Sequence, residues 1–498
     1  MYRHHRPLAL LLSTSVLTAC AVGPEYKPPE ATVSTHFLGH DGVASRPAQS
    51  KADMQAWWEG FGDPLLTRFV ALALEQNLDI AQAAARVAQS RASLRQADAT
   101  LLPSAAASAQ AARAYQSVET PLGQVLDATP GFDRNGSAYE ANVGASWEID
   151  VFGGLQRGRE AVRAQYQASE AGAAATRLAV AAQTADVYVT IRGLQTRIAI
   201  ARQQAQTRRR LLSTVKLQYE KGIAAELQLR QTEGSLAQVE AQIPVLEAGL
   251  ESALNALDVL LGVPPGTYRA ALSAPMPVPA APGLAETGTP AEMIRRRPDL
   301  IVAERRLAAA NARIGVAISE YYPKLSLGAL LGSATVVSGG NLFTSGAAQA
   351  QGVLGLRWRL FDFGRVDAQV AAARGQEAEA LAAYRLAVLR ATEDVENALS
   401  ALVKRETQVG ILAQGEASLA RARETSLAAY QGGVVSLIEV LDADGQLLQV
   451  RDAKAQAQTE VVRAAIASFR SLGGGWSENS PSRLRDSFET PWRQQAKQ

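Results

Sequence analysis

Residues Trp147–Gly153 read Trp-Glu-Ile-Asp-Val-Phe-Gly, and 211 positions later residues Trp358–Gly364 read Trp-Arg-Leu-Phe-Asp-Phe-Gly. The same offset carries Tyr219-x-x-Gly222 onto Tyr430-x-x-Gly433. Upstream the offset is 220: Leu78-Asp79-Ile80 followed by Pro103 becomes Pro298-Asp299-Leu300 followed by Pro323. The first copy therefore carries nine more residues in one loop. Length variation confined to a loop marks a structural duplication.

Each copy carries a period-two stretch. Tyr139, Ala141, Val143, Ala145, Trp147, Ile149 and Val151 alternate with Glu140, Asn142, Gly144, Ser146, Glu148 and Asp150. In the second copy Leu354, Leu356, Trp358 and Leu360 alternate with Gly355, Arg357 and Arg359. Weaker alternation over 105–111 and 325–331 supplies a partner strand, so each copy predicts a strand pair joined by a long polar loop. Such a face meets either a soluble core or lipid. Trp147 and Trp358, at matching positions, fit aromatic residues of a membrane interface.

After each strand pair the period changes. Val187, Ile191, Leu194, Ile198, Ala201, Ala205, Leu212, Val215 and Tyr219 follow alternating four-and-three spacing, with Arg208 the one skipped position. This is a heptad seam. The second copy keeps the phase with more polar intrusions, including Arg405, Glu416 and Arg423. Unbroken from about Leu155 to Tyr219, such a helix would span roughly 100 Å at about 1.5 Å per residue. Gly222 and Gly433 suit the left-handed residue that closes a helix. Returning helices then cover about Glu226 to Leu261 and Leu437 to Leu472. The two tips, with Tyr219, Gly222, Tyr430 and Gly433, turn at the far end from the strands.

The resulting division is 1–19 signal peptide, 20–60 anchored tether, 61–265 first repeat with strand pair 103–151, 266–295 connector, 296–472 second repeat with strand pair 323–362, and 473–498 polar tail. A single helix from about Pro64, capped by Asp63, to Leu101 opens the first repeat.

Lys+Arg number 50 against Asp+Glu 48 in 498 residues, so no basic excess points to nucleic acid. Tyr2-Arg3-His4-His5-Arg6, then apolar Leu8 to Val16 and Leu17-Thr18-Ala19-Cys20, form a secretory signal. Cys20 is the only cysteine. Its place fits a bacterial lipobox, which makes it the attachment point of an N-terminal lipid, diacylglycerol and palmitoyl. No later run of about 18 apolar residues provides a membrane helix, so any crossing belongs to strands. Four lipid-facing strands cannot close without bare edges, so the chain must associate. Two copies would fill a barrel with side chains, three leave a passage, and a larger ring stays open.

The chain resembles the TolC-type outer-membrane efflux proteins, in the lipidated branch that includes OprM and NodT. The resemblance rests on Cys20 with Val22-Gly23-Pro24-Glu25-Tyr26 and on Trp57-Trp58 through Phe61-Gly62-Asp63-Pro64. It continues through Ile191-Arg192-Gly193-Leu194-Gln195, Arg296-Arg297-Pro298-Asp299-Leu300, Tyr321-Tyr322-Pro323 and Tyr430-x-x-Gly433. It implies a mixed α+β trimer: a twelve-stranded β-barrel in the cell outer membrane and a long α-barrel crossing the periplasm. It also implies a periplasmic adaptor (membrane fusion protein) and an inner-membrane pump of the RND type as partners. In such proteins Ala21 after the lipidated cysteine favours outer-membrane sorting, and acidic residues matching Glu439 and Asp442 form a periplasmic gate. These two are three apart and share a helix face. The chain departs from the pattern at Val434-Val435, where drug-efflux members carry polar or basic latch residues. The first-copy counterpart of Glu439 is the uncharged Gln228, so the second-copy helix is expected to form the inner, moving wall.

Catalysis finds no motif. His4, His5, His36 and His40 are the four histidines, two in the signal and two in the tether. No metal-protease pair, nucleophile elbow or phosphate loop occurs, and no cofactor beyond the lipid is expected. Glu393-Asp394 are adjacent on a helix and point apart, as a solvated or pore-lining face. The remaining alternative is a lipid-anchored periplasmic coiled-coil scaffold or adaptor without a pore, its strands buried in a soluble sandwich.

Overall fold

A computed structural model describes residues 21–30, 34–46, 52–284 and 289–476. Its elements reproduce the duplication. Helices α5 (Gly154–Glu220) and α9 (Arg365–Gln431) are 67 residues each, and α6 (Glu226–Leu260) and α10 (Leu437–Ser471) are 35 each. Strands β1 (Ser104–Tyr115) and β3 (Lys324–Thr335) are both 12 residues, and β2 (Asn135–Ile149) and β4 (Ala348–Arg357) follow them. The signal peptide, Cys20 and the tail beyond residue 476 lie outside the described residues.

The single opening helix is two helices, α2 (Pro64–Gln76) and α3 (Leu78–Ala99). Asn77 leaves the helical region at φ −63°, ψ 131°. Its Oδ1 accepts from the Asp79 and Ile80 amides at 2.9 and 3.2 Å, and its Nδ2 donates to the Leu260 carbonyl at 2.8 Å. Asparagine serves here as an N-cap in mid-pattern. The second copy breaks at the equivalent Arg297, between α7 (Pro290–Arg296) and α8 (Pro298–Ser319). There the following proline pushes the backbone to ψ 120°. The connector is correspondingly shorter than 266–295, because α7 already starts at Pro290. The long loop of the first copy also holds a short helix, α4 (Pro121–Asp127), capped by Thr120.

Two compact units divide the chain. The first, whose described residues are 21–29, 88–168 and 304–383, contains a four-stranded antiparallel sheet in the order β1-β2-β3-β4. Its register makes the period-two pattern coherent across the strands. Ala107 pairs with Val143, Val143 with Leu331 and Leu331 with Ala350, so all four share one face. Trp147–Leu327–Leu354 forms a second such row. The opposite face carries rows such as Ser108–Asn142–Gly332–Gln349. Leu331 and Leu354 on the apolar face are 65% and 70% exposed, so no described residue covers it.

Residues 21–26, within the expected tether, dock in this unit. The Val22 amide donates to the Phe152 carbonyl at 3.1 Å, buried Arg157 donates to the Val22 carbonyl at 3.1 Å, and Tyr26 Oη donates to Glu304 at 2.5 Å. Gly23, at φ 98°, lies so close to Gly315 that an added Cβ would come within 2.5 Å of its Cα. Proline and glycine here fit an extended strap to a surface, a use that leaves no periodicity to read.

The described residues of the second unit fall within 30–87, 169–303 and 384–476. Here too the tether is docked. Phe37 is buried beside Leu399, the Leu38 and Gly39 amides donate to Glu396 at 2.7 and 3.0 Å, and Arg46 pairs with Glu406. A short helix, α1 (His40–Ala44), lies between these contacts. The core places Trp57, stacked on Phe469 at 5.6 Å, with Phe61, Leu66, Tyr188 and Leu257.

Polar residues bind this core together. Buried Arg192 donates to Gln195 and to the Ala274 carbonyl, and Gln195 donates to the Leu272 carbonyl, so the Ile191–Gln195 motif fixes the connector to α5. Gly193 lets α10 approach, since a Cβ there would collide with Thr459. Arg297 donates to the Ala391 and Ser471 carbonyls and pairs with Asp299 and Asp394. Asp394 is half-exposed, in keeping with the expected solvated face, and its carboxylate also reaches Arg297.

Asp63 caps α2 through the Leu65 and Leu66 amides at 2.9 and 3.2 Å, and accepts from Tyr188 Oη at 2.6 Å. Burial, and then this hydrogen bond, push the Tyr188 phenol up to about 12. Asp63→Ala orphans two helix amides and removes the acceptor of the buried Tyr188 hydroxyl, a cost of about 2–4 kcal/mol. Thermal unfolding followed by circular dichroism should move down by several degrees; an unchanged transition would refute the coupling. A phenol held neutral stabilises the fold below its ordinary pKa and loses that contribution as pH rises through about 12, so the wild-type advantage over Asp63→Ala should shrink in strong base.

Candidate functional site

The hairpin tips are closed by the same backbone device in both copies. Gly222 lies at φ 73° and Gly433 at φ 75°. The Gly222 amide donates to the Tyr219 carbonyl at 2.9 Å and the Ile223 amide to the Gln218 carbonyl at 2.8 Å. Gly433 and Val434 repeat this with the Tyr430 and Ala429 carbonyls, both at 2.9 Å. These paired bonds satisfy the last carbonyls of α5 and α9 in a Schellman motif.

All four helices meet at the tips. Val215, Leu229, Leu437 and Val440 are buried together. The side chains of the two Tyr-x-x-Gly motifs are not equivalent. Tyr430 is half-buried and donates to Gln218 Oε1 at 3.1 Å, whereas Tyr219 is 41% exposed. The turns themselves project bare apolar groups, with Ile223 73% and Val434 80% exposed. A groove of about 700 Å³ opens between the helices, lined by Arg210, Gln218, Gln228, Arg423, Tyr430 and Asp444 among others.

Glu439 and Asp442 are both exposed on α10. Ser436 Oγ lies 3.5 Å from Glu439, and Gln446 donates to Asp442 at 2.8 Å. Neither carboxylate has an ion-pair partner among the described residues. They form an unneutralised acidic face, as their spacing requires. Gln228 turns back to accept from the Ala225 amide at 3.2 Å, so the first-copy position is spent on capping α6.

The sequence reading missed Asp444. It is buried on the same helix, with Arg208 at 3.4 Å and Arg423 at 3.6 Å, and accepts from Gln204. The available signal was Arg208 itself, an arginine at a heptad position that burial would leave uncompensated without a carboxylate. The polar intrusions of the second copy are answered similarly: Glu416 pairs with Arg451 at 3.0 Å and Lys454 at 2.9 Å, which hold its carboxyl below the usual range.

In the sheet unit, Trp147 and Trp358 occupy matching places. Trp147 Nε1 donates to the Leu101 carbonyl and Trp358 Nε1 to the Tyr321 carbonyl, each at 3.0 Å. Both rings stay partly exposed, at 37% and 54%. Trp358 stands one residue past β4, which ends before the expected boundary at 362. Phe152 stacks on Tyr322 at 4.6 Å nearby, and Phe361 and Phe363 are bare. An aromatic cluster thus gathers at one margin of the sheet. Among the described residues no helix is long and apolar enough to cross a membrane, and no group of three or more His, Cys, Asp or Glu could hold a metal ion.

A duplicated strand pair with one bare apolar face, joined to paired helical hairpins, defines an α+β channel protein of the TolC-like class. The profile described as "Outer membrane efflux protein" matches residues 69–263 and 289–474, once on each copy. The chain belongs to that family. It is 32% identical over 480 residues to the pyoverdine export outer membrane protein OpmQ of Pseudomonas putida, covering 96% of this chain and 99% of that one. Nodulation protein T of Rhizobium leguminosarum bv. viciae is 29% identical, covering 95% of this chain and 94% of its own. The solved outer-membrane channel OprN superposes with a TM-score of 0.83 at 31% identity, covering 92% of this chain and all of that one.

Proposed function

We propose that this chain is the passive exit duct of a tripartite efflux system in the cell outer membrane. Three copies close one β-barrel, a periplasmic adaptor binds the hairpin tips, and an inner-membrane pump of the RND type supplies the energy. The observation that carries this reading is the sheet: β1 and β4 are unpaired edges, and the apolar face is coherent and exposed. Lipid is the natural cover for such a face, and only closure removes such edges. A pore-less scaffold would need a second layer over those strands. Heat-resistant trimer migration together with ion conductance in planar bilayers tests the proposal; a non-conducting, soluble delipidated protein would favour the scaffold.

Cys20 carries the N-terminal lipid in this reading, as a tether and not as the membrane-holding element. Cys20→Ser, exported by a non-lipoprotein signal, should still give trimers in outer-membrane fractions, because a spanning barrel holds far more strongly than acyl chains. Complete loss from those fractions would mean that the strands do not insert.

A further inference from the structure

The sheet obeys the duplication to the residue. Ser104 faces Ser146 across β1 and β2, and shifting the two by their own offsets, 220 and 211, gives Lys324 and Arg357, which face each other across β3 and β4. The remaining pairing, β2 with β3, joins the first copy to the second. Its counterpart would join β4 to a β1, and within the chain both are free edges. The same offsets turn the facing pair Asn142 and Gly332 into Val353 and Ala112, and the pair Val143 and Leu331 into Leu354 and Ala111. Leu354 and Ala111 both stand on the apolar face, so this register continues that face across the seam. A slip of one residue would set apolar side chains against polar ones.

The helices of the same unit carry a matching asymmetry. In the joint between the two copies Phe152 stacks on Tyr322 at 4.6 Å, and Ala164 is buried with Ala308 and Ala309. Arg157 lies against Gly315, where an added Cβ would come within 2.8 Å of its Cγ. The counterparts of these residues are bare. Ala368 and Gly375 on α9 are exposed where Arg157 and Ala164 are buried, and Arg95 and Ala88 on α3 are exposed where Gly315 and Ala308 are buried. Paired in the same way, Ala368 meets Arg95 and Gly375 meets Ala88. An arginine again faces a small residue, with the two sizes exchanged between the helices. Phe363, the counterpart of Phe152, is fully exposed, and Leu102, the counterpart of Tyr322, is 64% exposed. Phe363 also holds φ 54°, the one positive φ outside glycine among the described residues. Such a backbone persists where its surroundings fix it, yet the side chain is bare in its own chain.

We infer that a neighbouring chain, identical to this one, repeats on the β4 edge the joint that the two copies make internally. Ala112 and Ala111 of that chain face Val353 and Leu354, its Leu102 covers Phe363, and its Arg95 and Ala88 cover Ala368 and Gly375. The inference rests on the proposed ring and gives its seam a register and an aromatic anchor. The contact is head-to-tail, each chain supplying one β4 edge and one β1 edge.

The test is disulfide cross-linking in the purified full-length protein. Cys20 is the only cysteine and is acylated in the proposed reading, so engineered thiols report without background. Val353→Cys with Ala112→Cys, and separately Leu354→Cys with Ala111→Cys, are oxidised in the assembled state and then fully unfolded for electrophoresis. Of two adjacent cross-strand pairs one is the closer, non-hydrogen-bonded kind, so at least one variant should give a covalent ladder ending at three chains. Its yield should exceed by about tenfold that of Val353→Cys with Ala114→Cys, which is two residues out of register. Each single cysteine should give monomers alone. Conducting trimers that cross-link only in the mispaired variant, or in none, would overturn the seam and leave the duct standing. A ladder running past three chains would keep the register and overturn the trimer, and a wild type that forms no ring would overturn both. The anchor is tested separately, without cysteines. Phe363→Ala should lower the temperature at which trimers dissociate, whereas Phe361→Ala should not, since Phe361 is 87% exposed but corresponds to Asp150 and lies outside the joint. Equal effects of the two would mean that lipid and not a second chain covers Phe363.

Discussion

Valine at both Gly222 and Gly433 is expected to abolish efflux in a strain that depends on this duct, while trimers persist. Both glycines sit at φ near 75°, where a β-branched residue is strained by about 1–2 kcal/mol or more. No heavy atom lies within 4 Å of a Cβ added at either position. The damage is therefore confined to the turn conformation and spares the buried cluster beneath it. To relieve the strain the turn must give up the paired amide–carbonyl bonds and redirect Ile223 and Val434, the bare apolar groups that the proposed docking would use. Efflux-dependent growth under an exported toxicant gives the readout, with heat-resistant migration as the control for assembly. Unchanged resistance would count against docking at the tips. Alanine at both positions should fall between wild type and valine.

The second large effect belongs to the acidic face. Glu439→Ala with Asp442→Ala should lower the cation-over-anion permeability ratio of reconstituted channels by about tenfold, and weaken block by multivalent cations. On the proposed trimer three copies would bring six carboxylates around one axis, and neither Glu439 nor Asp442 has a basic partner within its own chain among the described residues. Crowded like charges in a narrow passage raise the local cation concentration and the cost of anion entry. A double variant with wild-type selectivity and block would remove these residues from the gate.

Much of the fold follows from offsets visible in the sequence. The 211-residue interval that relates the two Trp-to-Gly stretches also relates the bounds of α5 to α9 and of α6 to α10. It does so because a duplicated helix keeps its caps, and glycine at the left-handed position is a local signal. The alternating strands were legible for the same reason: register across four strands only propagates a pattern that each strand already carries. Asn77 was not legible, since an asparagine within an apolar-periodic stretch reads equally as a tolerated interior residue. Only its bond to the Leu260 carbonyl, from a distant helix, shows why the chain bends there. The docked tether escaped because its contacts are scattered anchors, such as Tyr26, Phe37 and Arg46, on a stretch without period. Asp444 is the sharpest case. It is one acidic residue among several on α10, and what separates it from Glu439 and Asp442 is a partner 236 positions earlier.

The bare edges of β1 and β4 carry a genetic consequence. On the proposed trimer each ring closes only through seams shared between copies, so no copy functions on its own account. A cell making equal amounts of an intact chain and a tip-defective but assembling one would build only about one ring in eight from intact chains alone. Alleles that spoil the tips while sparing the strands would therefore be dominant over the wild type, and alleles that destroy the strands, which never enter a ring, would be recessive.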